Sequence, residues 1–254
     1  MRLYRCCPGG FSSYILGKNF SSTGCGISLP VEEGGHSFDL EEYLQTRYNL
    51  FFANLCQYQL GPAEIDDPQF HQLPAAVVPR TFDIVLIDGH QLRIQTSRLP
   101  WDKDRLLISQ VIIALQSVKE GGTIIMKLPM PHRFTSAKMA FMFKILSQDV
   151  QRWKPQNMHA NRGTFYLVVR GFGRGEQYYR VPNILQQFRQ LWTELTFGGD
   201  EKRGRFLKQE DLDFAVTSDE IINNHIHWLV EFGKQLWTVQ ERRLRQMYQK
   251  KGVF

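Results

Sequence analysis

The run Cys6-Cys7-Pro8-Gly9-Gly10-Phe11-Ser12-Ser13-Tyr14-Ile15-Leu16 sets small residues and a Pro-Gly-Gly turn directly before an apolar-periodic stretch. That is the pattern of a tight turn opening a helix. Unpaired N–H groups and partial positive charge at such a helix start let a nucleotide or a carboxylate sit against it. Two more positions carry ionisable groups where chemistry is done. Residues 82–89, Phe-Asp-Ile-Val-Leu-Ile-Asp-Gly, are an apolar β-branched run ending in Asp88-Gly89. This reads as a buried parallel strand whose terminal carboxylate emerges into a crevice. Residues 123–128 read as a strand carrying Lys127 near its end. Each feature also has a plainer reading: Asp88 caps a turn, Lys127 snorkels from a strand end, and Pro8-Gly9-Gly10 is a turn that holds no ligand.

The elements that must position these residues alternate. A helix over 12–18 is followed by a short strand over 24–30, ended by Pro30. Residues 31–79 are irregular, with a strand at 50–55. A helix over 98–120, closed by Gly121-Gly122, leads into the Lys127 strand. A helix over 134–146 follows, then two strands at 150–153 and 164–170, read as antiparallel. Strands alternating with helices give an α/β sandwich with a mostly parallel sheet. Gly171, Gly173 and Gly175 mark a linker to a helical C-terminal extension. Its parts are a helix over 181–197, a polar broken stretch over 198–213, and a long amphipathic helix or helix pair over 219–250. Ser218 caps that helix, with Ile222, Ile226, Leu229, Leu236 and Trp237 available for packing.

At 254 residues and 43 % hydrophobic, the chain can bury one full core with a small appendage. No apolar run reaches the length of a membrane-spanning helix. Nor does an apolar segment follow the basic N-terminus, so a cytoplasmic or nuclear, non-secreted protein is expected. The four cysteines, Cys6, Cys7, Cys25 and Cys56, lack CxxC spacing and His partners; they read as reduced thiols, not as a metal site. Charge is segregated. Residues 31–88 hold ten acids against two bases, and residues 127–180 hold ten bases against two acids. The basic segment either attracts a polyanion such as RNA or is a set of solvated faces. The basic end of the last helix, Arg242-Arg243-Leu244-Arg245 with Lys250-Lys251, fits dipole compensation or nucleic-acid contact. His90, His132 and His159 are isolated and read as surface or core residues.

In this order, the small-Pro-Gly-Gly turn, the Asp88 strand, Gly121-Gly122 with the Lys127 strand, and Lys154-Pro155 through Phe165-Tyr166-Leu167-Val168 resemble the FtsJ-like RNA 2′-O-methyltransferases, from about Leu3 to Gly171. Within that group the chain is most similar to uncharacterised fungal proteins carrying an FtsJ-like domain. Phe11 to Leu16, Gly34-Gly35-His36, Asp88 to Arg93 and Phe197-Gly198 carry that likeness. The resemblance implies a Rossmann-like S-adenosylmethionine-dependent methyltransferase domain over 1–171 and a helical extension over 172–254. It implies methyl transfer to a ribose 2′-hydroxyl of RNA, including ribosomal RNA. It also implies a Lys-Asp-Lys-Glu tetrad, of which Asp88 matches the second member and Lys127 the third.

The other two members are not found. The first lysine belongs ahead of the turn, where only Met1 to Arg5 stand, so the start of the domain is expected to lie upstream. The glutamate position falls on Thr164, which does not ionise near neutral pH. Cys7, Pro8, Gly9, Gly10, Phe11 and Ser28 are the cofactor positions. Leu3, Arg5 and Ser28 stand where an acid, a glycine and a ribose-binding acid are usual, with Glu32 or Glu33 as substitutes for the last. Weak S-adenosylmethionine binding is therefore expected. Arg133, Lys138, Lys154 and Arg162 are the RNA-binding candidates, and Pro8, Asp88 and Lys127 are expected at the carboxyl edge of one sheet. A catalytically inactive module of the same fold, binding RNA or a protein, is the alternative.

Overall fold

A computed structural model describes residues 2–4, 9–77, 79–90, 99–157 and 159–253, with backbone alone for 2–4. The chain divides into two compact units. The first takes in 1–124 and 180–207, the second 125–179 and 208–254.

In the first unit, β1 (Arg2–Tyr4), β2 (Gly24–Ser28), β3 (Tyr48–Phe52) and β4 (Phe82–Ile87) are joined by the start of β5 (Val118–Pro129), in the order β3-β2-β1-β4-β5. The β1–β2, β1–β4 and β2–β3 pairings are all parallel. Buried Val85, Leu86 and Ile87 at the end of β4 match the continuous apolar run of an interior parallel strand. Around these strands lie α1 (Gly10–Lys18), α2 (Glu42–Gln45), α3 (Asp102–Ser117) and α5 (Val181–Phe197). The α5 helix docks on α3 through Trp192, fully buried, whose Nε1–H donates to Ser109 Oγ at 3.0 Å. The Phe70 ring stands edge-on to Trp192 at 5.8 Å.

The second unit contains the rest of β5, then α4 (Phe134–Leu146), β6 (Ser147–Trp153) and β7 (Thr164–Phe172), with strand order β5-β7-β6. The β6–β7 pair is antiparallel, so strand directions are mixed. A short α6 (Ser218–Glu220) and a long α7 (Ile226–Lys250) complete the unit.

Several boundaries differ from the sequence expectation. The helix expected to run to Glu120 stops at Ser117, and Gly121 takes φ 75° within β5 instead of capping a helix. Its end is pinned from outside: Arg80 and Thr81 N–H groups donate to the Gln116 and Ser117 carbonyls, and Lys119 pairs with Asp83. Thr217, not Ser218, caps the C-terminal helices, its side chain accepting the Glu220 N–H at 3.1 Å. A π-helical turn over Ile221–His225 then shifts the helix register. Ile222 and Ile226 face solvent, and Ile221, Leu229, Phe232, Leu236 and Val239 form the buried face.

The glycine run after β7 is a packed turn, not a free linker. Gly173 and Gly175 N–H groups both donate to the Leu146 carbonyl, and a Cβ on Gly175 would stand 2.3 Å from Ser147 N. Gly175→Ala is therefore expected to lower stability by about 1–3 kcal/mol. Gly17→Ala, on an exposed helical position with no atom within 4 Å of the new Cβ, is expected to raise it by roughly 0.5–1 kcal/mol. Urea unfolding of the two variants checks the contrast.

Candidate functional site

The first unit gathers its sequence-predicted site residues at one edge. Tyr4 lies opposite both Ile27 and Ile87 in parallel register, so β1 ends between the strand end at Ser28 on one side and the one before Asp88 on the other. Strand order reverses between β1 and β4, where ligands of open α/β sheets bind at the carboxyl ends. Cys7 and Pro8 lie outside the described residues. Gly9 has φ 118°, a conformation that a side chain would strain, and it N-caps α1. The first helical bond runs from Ser13 N–H to Gly9 C=O at 2.8 Å, leaving the preceding amides outside the helix's own ladder.

The start of α1 fits a small polar group of a cofactor. A Cβ on Gly10 would meet no atom within 4 Å, and Phe11 is exposed. The Ser12 hydroxyl is buried and has no hydrogen-bond partner among the described residues. The ribose side fits less well. Ser28 ends β2, is buried and offers a hydroxyl where an acid is usual. Glu32 and Glu33 sit on an exposed single turn over Val31–Glu33.

Asp88 follows β4 directly and is half-buried, with its Oδ1 atom buried. What fixes it is a residue that sequence reasoning does not single out. Gln110, 1 % exposed in the middle of α3, accepts the Gly89 N–H at 2.8 Å and donates back to the Gly89 carbonyl at 3.1 Å. A second donor bond to Leu106 C=O at 3.2 Å holds the amide in place. Gly89 tolerates this approach because it has no side chain; a Cβ there would stand 2.6 Å from Gln110 Oε1. The available signal is a glutamine on a face otherwise lined by Val111, Ala114 and Leu115, since a buried amide requires partners.

The second unit holds the remaining candidates, and it corrects two of them. Lys127 is half-buried near the end of β5, on the face opposite Met126 and Leu128. Arg133, the N-cap of α4, and Arg162, in the turn before β7, are exposed as an RNA-contacting residue must be. Lys138 is not. It is 1 % exposed, donates to the Gln209 carbonyl at 2.8 Å and pairs with the Asp213 carboxylate. Lys154 is also buried, its ammonium donating to the Arg162 and Thr164 carbonyls, both at 2.7 Å. Burial holds that ammonium below the ordinary lysine range. Both lysines secure loops from inside the fold because backbone carbonyls stabilise their buried charge.

The sequence profile of the FtsJ-like methyltransferases matches residues 5–172. The chain belongs to that family. No protein among the curated ones matches it. Among solved structures, a Plasmodium falciparum protein classed as a ribosomal RNA methyltransferase is 18 % identical over 67 % of this chain and 85 % of its own, with a TM-score of 0.43. Spermidine synthase from Thermotoga maritima is 11 % identical over 89 % and 68 %, with a TM-score of 0.41. Phosphoethanolamine N-methyltransferase 1 from Haemonchus contortus is 11 % identical over 75 % and 43 %, also at 0.41. These values add nothing to the family assignment.

Lys138→Ala is expected to cost about 1–3 kcal/mol, because the Gln209 carbonyl loses a buried donor while Asp213 stays partly solvated. Gln110→Leu is expected to cost a similar amount. Arg133→Ala should stay within about 0.5 kcal/mol of the parent. Denaturant midpoints for the three variants provide the check.

Proposed function

We propose that this protein is an S-adenosylmethionine-dependent RNA 2′-O-ribose methyltransferase in kind, with Asp88 and Lys127 as its catalytic residues. The observation carrying the reading is the edge of the first unit, where the start of α1, Ser28 and Asp88 follow the carboxyl ends of β1, β2 and β4. In this assignment the Gly9-Gly10 turn and the first turn of α1 hold the cofactor, beside Cys7, Pro8 and Phe11. S-adenosylmethionine supplies an activated methyl group when bound. Lys127 takes or steers the proton of a ribose 2′-hydroxyl, a poor nucleophile until relieved of it. Asp88 supplies the carboxylate of the family's constellation, held by the Gln110 clamp on the next peptide. Arg133 and Arg162 are assigned to phosphates of the RNA, without base preference.

One observation favours the alternative, a module that binds RNA without catalysis. Thr164 stands at the expected glutamate position, and its carbonyl is taken up by buried Lys154.

Transfer of a labelled methyl group to RNA, with identification of the modified nucleoside, separates the two readings. For the enzyme, Lys127→Ala and Asp88→Ala should each lower transfer by about 100-fold or more. In calorimetry, Ser28→Asp should tighten S-adenosylmethionine binding about tenfold by restoring a hydrogen bond between a charged acceptor and the ribose. RNA binding without transfer by the parent chain selects the inactive module. Failure to bind either RNA or S-adenosylmethionine sinks both readings.

A further inference from the structure

Three strands of the second unit bring a lysine and two aromatic rings into one row. The Met130 N–H, one residue past β5, donates to the Gly163 carbonyl, one residue before β7, at 3.1 Å. The end of β5 therefore meets the start of β7, and the two strands run antiparallel. Three residues back along β5 and three on along β7, Lys127 stands opposite Tyr166. Tyr166 in turn pairs with Trp153 of β6, the edge strand. Directly opposed residues share a face of a sheet, so Lys127, Tyr166 and Trp153 form a row across the three strands.

That row lies on the face that α7 does not take. On the other face Phe165 is buried edge-on to Phe232 of α7 at 6.0 Å, and the Arg152 guanidinium lies 5.7 Å from the same ring. Tyr166 is half-buried and backs Trp153, with ring centres 6.3 Å apart and planes at 45°. Trp153 itself is 56 % exposed, which forgoes burial that a large ring otherwise obtains. Cations flank the row. Buried Lys154, the next residue, holds the Arg162 and Thr164 carbonyls at 2.7 Å, so the backbone carrying exposed Arg162 is fixed beside Trp153. At the β5 end the Arg133 N–H donates to the Met130 carbonyl at 3.0 Å, which places a second exposed arginine there. The acid of β6 on this face, Asp149, lies four residues back from Trp153, about 13 Å away, opposite Arg170.

We infer that Trp153 is the base-stacking residue of the substrate site: an unpaired RNA nucleotide lays its base on the outer face of the indole and its ribose toward Lys127. Two inter-strand spacings, about 10 Å at the backbone, separate Trp153 from Lys127, a span that a base, its ribose and a lysine side chain fill together. The inference rests on the proposed role of Lys127, and it narrows the substrate. The nucleotide must be unpaired and splayed out, because a base inside a helix has both faces covered by its neighbours. Base identity stays open, since every base has a stacking face. A protein segment would cover the indole equally well but would bring no phosphate to Arg133 and Arg162.

The test uses the full chain, a fluorescent mixed-sequence single-stranded RNA, and a strand of equal length whose nucleotides lack bases. Trp153→Ala is expected to weaken RNA binding about 5-fold to 100-fold and to leave binding of the base-free strand unchanged, while Trp153→Phe keeps RNA affinity within about threefold. Arg162→Ala should weaken both strands alike and flatten the salt slope by roughly 0.7 for each phosphate no longer neutralised. RNA should also quench tryptophan emission in the parent, by an amount that Trp153→Phe removes. Parent affinity in Trp153→Ala, an equal loss on both strands, or a quench that survives in Trp153→Phe overturns the stacking site and leaves the methyltransferase reading standing. A parent chain that binds no RNA removes that reading and this one with it. A dimer in sedimentation that Trp153→Ala dissociates assigns the indole to a second copy and overturns the proposal.

Discussion

Parallel pairing of β1 with both β2 and β4 is the constraint on which the first unit depends. Parallel neighbours present their carboxyl ends at the same edge, and the register Ile27–Tyr4–Ile87 brings the three strand ends side by side. A turn that needs glycine at Gly9, a buried serine at the end of β2 and a carboxylate after β4 thus share one edge although they are far apart in sequence. Sliding β4 by one residue would displace Asp88 by about 3.3 Å along the strand relative to Ser28 and exchange the faces on which Val85, Leu86 and Ile87 pack. The Gln110 clamp acts on the same strand end from the helix side, holding both the N–H and the C=O of Gly89.

In the second unit the organising groups are two lysines that never reach solvent. An ammonium inside a protein is costly unless carbonyls or a carboxylate surround it. Lys154 gathers the carbonyls of Arg162 and Thr164, which closes the turn ahead of β7. Lys138 reaches the carbonyl of Gln209 and the carboxylate of Asp213, which attaches the broken segment before α6 to the underside of α4. Positive charge in this stretch thus divides into two kinds. Part of it is internal scaffolding; Arg133, Arg162 and Arg242 stay at the surface.

Much of this is legible in the residues. Continuous or periodic apolar patterns are local, and they locate β4, which ends at Ile87 before the Asp88-Gly89 pair, and the α4 helix over Phe134–Leu146 and the α5 helix over Val181–Phe197 with their observed bounds. The Pro-Gly-Gly turn, the Asp-Gly strand end and the Lys127 strand are set out by residue type and order, which is enough to point to the FtsJ-like family. The chain by itself also marks Thr164 and Ser28 as departures, because the chemistry expected there needs a carboxylate and neither residue has one.

Only the tertiary structure decided which charges are buried. Composition counts Lys138, Lys154, Arg133 and Arg162 alike, but the partners of Lys138 lie 71 and 75 residues along the chain. No local pattern encodes which loop carbonyl will fold over a lysine. The same holds for Gln110, whose partner is 21 residues away, and for the end of α3, where bonds from Arg80 and Thr81 override the Gly121-Gly122 stop signal. At the C-terminal helices, the π turn over Ile221–His225 shifts every later side chain round the axis. Helical periodicity read from the sequence assumes an unbroken register, so it cannot place Ile222 relative to α7, and which apolar side chains of α7 itself are covered, Leu229 and Leu236 but not Ile226, is decided by what packs against them.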